Sequence, residues 1–100
     1  MLTSKQRAAL RAMAQQLEPI VQMGKEGIGP ALCKQVDDVL EARELIKVTL
    51  QKGAPYDTHE ACDLLCAEVD AEPVQCIGRR FVLYRQAKDP EKRKIVVPRA

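Results

Sequence analysis

The chain has 100 residues, of which 46% are hydrophobic and 30% are charged, a composition typical of one small globular domain. Its 16 basic and 14 acidic side chains give a formal net charge of +2, which excludes a strongly charged polyelectrolyte. No apolar run approaches the roughly 20 residues that cross a bilayer, so we expect no membrane partner. The cysteines do not form a disulfide framework and no secretory signal is visible, so we expect a cytoplasmic protein.

Four elements are predicted in the first half of the chain, in the order helix, strand, helix, strand. Apolar residues at helical spacing predict a first helix that begins at a Ser4 cap and ends near Leu17. Pro30 directly after Gly29 is typical of the start of a second helix. The other predicted ranges are 20–23 for the first strand, about 30–43 for the second helix and 44–50 for an alternating second strand.

The second half predicts one helix and three strands. Asp57 or Thr58 can cap a helix that reaches about Asp70. Strands are predicted at 74–77 and 81–85, joined by a tight turn, with a short edge strand at 95–97. The order α-β-α-β-α-β-β predicts a compact two-layer α/β single domain with a mixed sheet over residues 1–100, with a basic C-terminal tail at about 86–100.

A glycine-rich loop, Gly24-Lys25-Glu26-Gly27, joins the first predicted strand to the second helix. Glycines let a backbone turn sharply and bring its N–H groups close to an anion. The positive end of the following helix points at the same place, and Lys25 adds a cation. We interpret the loop as a phosphate site. The alternative is a plain turn, which Glu26 favours.

Charge is distributed unevenly along the chain: residues 1–50 carry +1, residues 51–77 carry −5 and residues 78–100 carry +6. A concentrated positive region favours contact with a polyanion, and the acidic segment should face away from it. With three aromatic residues in the chain, recognition should rest on charge and shape rather than on base stacking. The candidate RNA-binding residues are Gly24, Lys25, Glu26, Gly27, Lys5, Arg7, Arg11, Lys47, Arg79, Arg80 and Arg85.

The four cysteines have two possible roles. His59, Cys62 and Cys66 share a helical face, and Cys33 or Cys76 could complete a zinc site there. Because Cys62 and Cys66 also belong to an apolar helical stripe, we favour core packing and expect no metal and no cofactor. No acid–base pair or nucleophile indicates an enzyme. The alternative function is a small metal-binding or protein-interaction factor that works through Cys62 and Cys66 or through the acidic helix face.

Several segments, in order along the chain, resemble one family: Leu2 to Arg7, Leu17 to Pro19, Gly24 to Gly27, Glu44 to Val48, Val74 to Gly78 and Val82 to Arg85. The chain resembles the CRM domain (chloroplast RNA splicing and ribosome maturation) in its bacterial stand-alone, YhbY-like form. The resemblance implies a fold similar to the C-terminal domain of translation initiation factor 3, with a KH-like glycine loop.

The same resemblance implies a non-enzymatic RNA-binding protein. Its expected partner is ribosomal RNA in large-subunit precursors, where it would assist ribosome assembly, and we expect it to act as a monomer. The chain departs from the family pattern at two places. Gln15 stands where a histidine is expected, and Ile28-Gly29 replaces Leu-Thr, which removes a capping hydroxyl from the second helix.

Overall fold

The computed structural model describes residues 2–99 and confirms the predicted order of elements, while Met1 and Ala100 lie outside the described residues. No helix in that described range is long and apolar enough to cross a membrane. The elements are α1 (Ser4–Ala14), β1 (Val21–Met23), α2 (Pro30–Arg43), β2 (Leu45–Leu50), α3 (Thr58–Val69), β3 (Glu72–Ile77), β4 (Arg80–Tyr84) and a 3-10 turn at Pro90–Lys92.

The four strands form one mixed sheet, as the alternation of elements predicted, and their order is β1-β2-β4-β3, which the sequence did not reveal. β1 runs parallel to β2, whereas β4 is antiparallel to both β2 and β3. Met23 pairs with Leu50, and Thr49 pairs with Arg80. The connections that follow β1 and β2 and the turn between β3 and β4 therefore meet at one end of the sheet, which we call the loop end.

The larger core lies between one face of the sheet and the helices α2 and α3. Every second residue of β2 points to this side, as the alternation of its sequence predicted. The fully buried members include Met23, Val36, Leu40, Ile46, Val48, Leu65, Phe81 and Leu83.

Helix α1 packs on the opposite face, where Leu10 and Ala14 form a second, smaller core with Leu45, Val82 and Tyr84. The predicted two layers describe the sheet with α2 and α3, and α1 adds a partial third layer. Its cover ends before the loop end, so part of this sheet face stays open. We call this part the open face; it carries Lys47, Thr49, Gln75, Ile77 and Arg80.

Two helix starts show which polar residue satisfies the first N–H groups. Thr3, not Ser4, is the N-cap of α1, because Thr3 and Gln6 form a reciprocal capping box. Asp57 caps α3 in the same way with Glu60, which settles the choice between Asp57 and Thr58. Helix α1 ends at Ala14, earlier than the predicted end near Leu17, whereas α3 ends at Val69 with Asp70 as its C-cap, as predicted.

The prediction of an edge strand at 95–97 is wrong. The backbone N–H groups of Lys94 and Ile95 donate to the Glu44 carboxylate, at 2.6 and 3.0 Å, and therefore do not pair with a strand. Ile95 and Val97 pack against the smaller core, and Gln6 Nε2 donates to Pro98 O at 2.9 Å. The described part of the basic tail is thus held against the domain.

Candidate nucleic-acid interface

The glycine loop lies at the loop end, between β1 and α2, as the sequence predicted. It is a tight turn in which Gly27 N donates to Gly24 O at 3.0 Å. Lys25 and Glu26 occupy the exposed tip of this turn. Gly29 is the N-cap of α2 and makes no side-chain capping bond, as the replaced threonine led us to expect. The loop therefore presents a lysine close to the positive end of a helix.

Packing fixes the shape of the loop from behind. Gly27 is buried with φ +69°, and a Cβ built there would lie 3.0 Å from both Pro55 Cγ and Tyr56 Cε2. A Cβ at Gly24 would lie 2.9 Å from Gln51 Oε1. Both glycines therefore allow close approach of the loop to the connection that follows β2.

The turn between β3 and β4 brings Arg79 and Arg80 to the same end of the sheet. Leu50 N donates to Arg79 O at 2.7 Å, so Arg79 lies beside the end of β2. Arg79 and Lys52 line a shared shallow depression. Both arginines are exposed. The structure thus places Lys25, Arg79 and Arg80 at one end of the molecule.

Lys47 and Arg80 extend the positive charge onto the open face, where they line a depression of about 170 Å³. Helix α1 borders this face and carries the three other predicted cations. Lys5 is exposed, whereas Arg7 and Arg11 are half-buried. Arg7 Nε donates to Pro73 O at 3.4 Å, which ties this side chain to β3.

Arg85 does not belong to this surface. It is 8% exposed at the other end of β4, where it forms an ion pair with Asp37 and donates to the backbone oxygens of Asp37 and Val69. The hydrogen bond from Arg85 lowers the pKa of Asp37 below its usual range. The interpretation of Arg85 as an RNA contact is corrected to a structural role, because its guanidinium is already enclosed by protein oxygens.

Among the remaining charges, Asp57 lies at the loop end, where it lines a depression with Lys52 and Arg79, whereas the charges of the C-terminal segment and of α3 lie elsewhere. Lys88 and Asp89 donate backbone N–H groups to Glu41 in the last turns of α2, so the C-terminal lysines lie toward the far end of that helix. The acidic side chains Asp63 and Glu68 are exposed on α3, which covers the opposite face of the sheet from the open face.

The cysteines lie in and around the larger core. Cys62 and Cys66 are buried, and Cys33 and Cys76 are half-buried. A hydrogen bond with Cys66, together with burial, raises the pKa of Cys62, and burial raises the pKa of Cys76 to about 12. Within residues 2–99, no group of three or more histidine, cysteine or acidic side chains is arranged to hold a metal ion.

Among the described residues, no aromatic side chain is exposed on the open face to stack on a base. Phe81 is buried toward α2 and α3, and Tyr84 is buried toward α1. Two exposed residues of this region escaped the sequence reasoning, Lys52 and Ile77. Lys52 lies two residues after the end of a predicted strand and could have been included on that ground, whereas Ile77 required knowledge of which sheet face stays open.

Comparisons with known proteins agree with this architecture. The family model described as the CRS1/YhbY (CRM) domain matches residues 2–85. The probable RNA-binding protein YqeI of Bacillus subtilis is 40% identical, over 98% of this chain and 100% of that protein. An RNA-binding protein of Haemophilus influenzae is 34% identical, over 98% of this chain and 96% of that protein.

A solved structure shows the same fold. The solution structure of SAV1595 from Staphylococcus aureus superposes with a TM-score of 0.79 at 41% sequence identity, covering 98% of this chain and 100% of that one. The family match spans every strand and every α-helix described above and ends at Arg85, one residue after β4. This chain therefore belongs to the CRS1/YhbY (CRM) domain family.

Proposed function

We propose that this chain is a non-enzymatic RNA-binding protein, and that RNA binds at the loop end and on the open face. The observation that carries the proposal is the meeting of the glycine loop with the β3–β4 turn at one end of the sheet. We define the basic surface as Lys25, Lys47, Lys52, Arg79 and Arg80 with the backbone of Gly24 to Gly27. Lys5, Arg7 and Arg11 on α1 extend it along one side.

Each part of the basic surface has a distinct chemical role. Lys25 and the loop backbone hold one phosphate at the start of α2, where the helix dipole favours negative charge. Arg79 and Arg80 present planar guanidinium groups that bind phosphate oxygens in pairs. Glu26 is exposed at the tip of the turn, so its side chain can turn toward solvent when phosphate binds.

We further propose that the RNA is ribosomal and that the protein acts on large-subunit precursors as a cytoplasmic monomer. The relatives from Bacillus subtilis and Haemophilus influenzae are named as a probable RNA-binding protein and an RNA-binding protein, which supports RNA as the class of ligand. The assignment to ribosomal RNA and to large-subunit precursors follows from the family resemblance. Co-sedimentation with precursor particles tests it, because a tagged chain should migrate with large-subunit precursors and be released by high salt.

A salt series tests the basic surface directly. If about five phosphates of an unpaired RNA are contacted, raising salt from about 50 to about 200 mM should weaken binding roughly a hundredfold. Lys25→Ala and the double variant Arg79→Ala/Arg80→Ala should bind fragments of ribosomal RNA more weakly and with a shallower salt slope.

Lys92→Ala is the matched control, because it removes an exposed lysine from the C-terminal segment at the other end of the molecule. Its affinity and salt slope should match those of the unmodified chain. Equal losses in Lys25→Ala and Lys92→Ala would contradict the proposed location, and no binding at low salt would contradict the function itself.

A further inference from the structure

One large apolar side chain protrudes from the middle of the basic surface. Ile77 is 64% exposed, although it closes β3 and pairs with Arg80 in the sheet. A β-branched side chain on a strand stands roughly perpendicular to the sheet, so Ile77 projects outward from the open face. A singly exposed apolar side chain is common on protein surfaces. The position of Ile77 beside Lys47 and Arg80 is what points to a ligand that contacts both apolar and cationic groups.

Ile77 separates two depressions. On one side lies the depression of about 170 Å³ that Ile77 shares with Lys47, Gln75, Arg80 and Val82. On the other side lies a wider, shallow depression of about 710 Å³, whose lining includes Lys52, Arg79 and again Arg80. Each depression thus combines an apolar wall formed by Ile77 with at least two cationic side chains.

The cations favour RNA, a polyanion, as the ligand. The apolar side chain of Ile77 bears on whether that RNA is paired or unpaired. A continuous RNA duplex presents phosphates, riboses and 2′-hydroxyls along its surface and keeps the faces of its bases stacked inside. An aliphatic side chain has no apolar partner on such a surface. Unpaired nucleotides in loops, bulges and ends expose the faces of their bases, which an aliphatic side chain can cover.

We propose that Ile77 contacts the faces of unpaired bases, one in each depression, while Lys47, Lys52, Arg79 and Arg80 hold the phosphates on either side. The ligand of the basic surface is therefore RNA with a looped or single-stranded segment. This inference rests on the proposed function and adds to it the class of RNA and an apolar contact residue.

The test compares two RNA probes and three variants by fluorescence anisotropy at one fixed low salt concentration. The probes are a hairpin with an unpaired loop and a blunt duplex of equal length and base composition. Ile77→Ala removes the apolar wall, and Ile77→Leu retains it. Leu64→Ala is the matched control, because Leu64 is a 44% exposed aliphatic side chain on α3, away from the open face.

The unmodified chain should bind the hairpin more tightly than the duplex. Ile77→Ala should weaken hairpin binding about fivefold, since part of the buried apolar area is lost, and should leave duplex binding within about twofold. Ile77→Leu and Leu64→Ala should bind both probes like the unmodified chain.

Either of two results would overturn the inference: equal binding of both probes, or hairpin binding that Ile77→Ala leaves unaffected. If Lys25→Ala still lowers the affinity for RNA in either case, the proposed function stands. If the unmodified chain binds neither probe at low salt, the proposed function fails and the inference fails with it. Thermal melts of the Ile77 variants should match that of the unmodified chain, because the side chain is exposed.

Discussion

At the scale of single residues, neighbouring glycines of the loop have different physical roles. Gly27 has a positive φ of +69° and no room for a Cβ, whereas Gly29 has an extended φ of −142° and open space around its Cβ position. The sequence shows both as turn glycines. The structure distinguishes them because the distance to Pro55 and Tyr56 depends on how two connections pack at the loop end.

The two glycines should therefore respond differently to the same substitution. We expect Gly27→Ala to lower the free energy of unfolding by about 1–3 kcal/mol, because alanine is strained at positive φ and its Cβ meets a ring. Gly29→Ala is the control and should change it by less than about 1 kcal/mol. Urea denaturation measures both. A Gly27→Ala chain as stable as the unmodified chain would contradict the packing described for the loop.

Arg85 provides a second comparison at this scale. Its partner Asp37 lies 48 residues away in sequence, so no local pattern could reveal that the guanidinium is enclosed. We expect Arg85→Ala to lower the free energy of unfolding by about 3 kcal/mol, since buried acceptors lose their donor.

RNA affinity of folded Arg85→Ala should stay within about twofold of the unmodified chain, in contrast to Arg79→Ala/Arg80→Ala. Circular dichroism identifies the temperature at which the variant is folded, and anisotropy at that temperature gives the affinity. A loss of affinity as large as that of Arg79→Ala/Arg80→Ala would show that Arg85 contributes to RNA binding.

At the scale of elements, the periodicity of apolar residues predicted the helices and the strands of the sheet, but it did not predict where the C-terminal segment lies. The bounds of α2 were predicted because its apolar residues recur at helical spacing after Gly29 and Pro30. Glu44 was expected to begin a strand. Instead it caps α2 with φ +66°, is fully buried, and accepts N–H groups from residues 43 to 51 positions away. No short-range signal identifies such partners.

This anchor makes stability depend on pH. Burial raises the pKa of Glu44, but the N–H groups of Ala87, Lys94 and Ile95 outweigh burial and hold that pKa below its usual range. Backbone N–H groups also lower the pKa of Glu41. Because the unfolded chain takes up these protons first, stability is present above the ordinary glutamate pKa of about 4.3 and is lost as pH falls further.

We therefore expect the double variant Glu41→Gln/Glu44→Gln to be less stable at neutral pH and to lose less stability on acidification than the unmodified chain. Urea denaturation between about pH 7 and about pH 3 measures this difference. Glu91→Gln, which removes an exposed carboxylate from the same segment, is the control. Parallel pH profiles for the double variant and the unmodified chain would show that the two carboxylates do not anchor the segment.

At the scale of the whole molecule, the fold brings cations from distant segments together at the loop end and on the open face. The net charges of the chain segments could be counted from the sequence, but the strand order decides that Arg79 and Arg80 meet the glycine loop. The acidic residues Asp63 and Glu68 are exposed on α3, on the side away from the open face. The domain therefore carries cations on the open face and acidic side chains on the exposed side of α3.

Reversing the acidic side should not weaken RNA binding. We expect Asp63→Lys/Glu68→Lys to bind RNA as tightly as the unmodified chain or several-fold more tightly at low salt, because it removes like charge from the RNA's surroundings. The difference should shrink at higher salt. A clear loss of affinity would place part of the RNA contact on α3.

The protonated cysteines of the larger core have a practical consequence. Thiols react with alkylating reagents as thiolates, and burial raises the pKa of Cys76 to about 12, while Cys62 is buried beside it. In the closed molecule the fully buried Cys62 should therefore be labelled more slowly than the half-buried Cys76, and labelling of Cys62 would record an opening between α3 and β3. The rate at which Cys62 is alkylated thus measures the rate of local unfolding without any introduced probe.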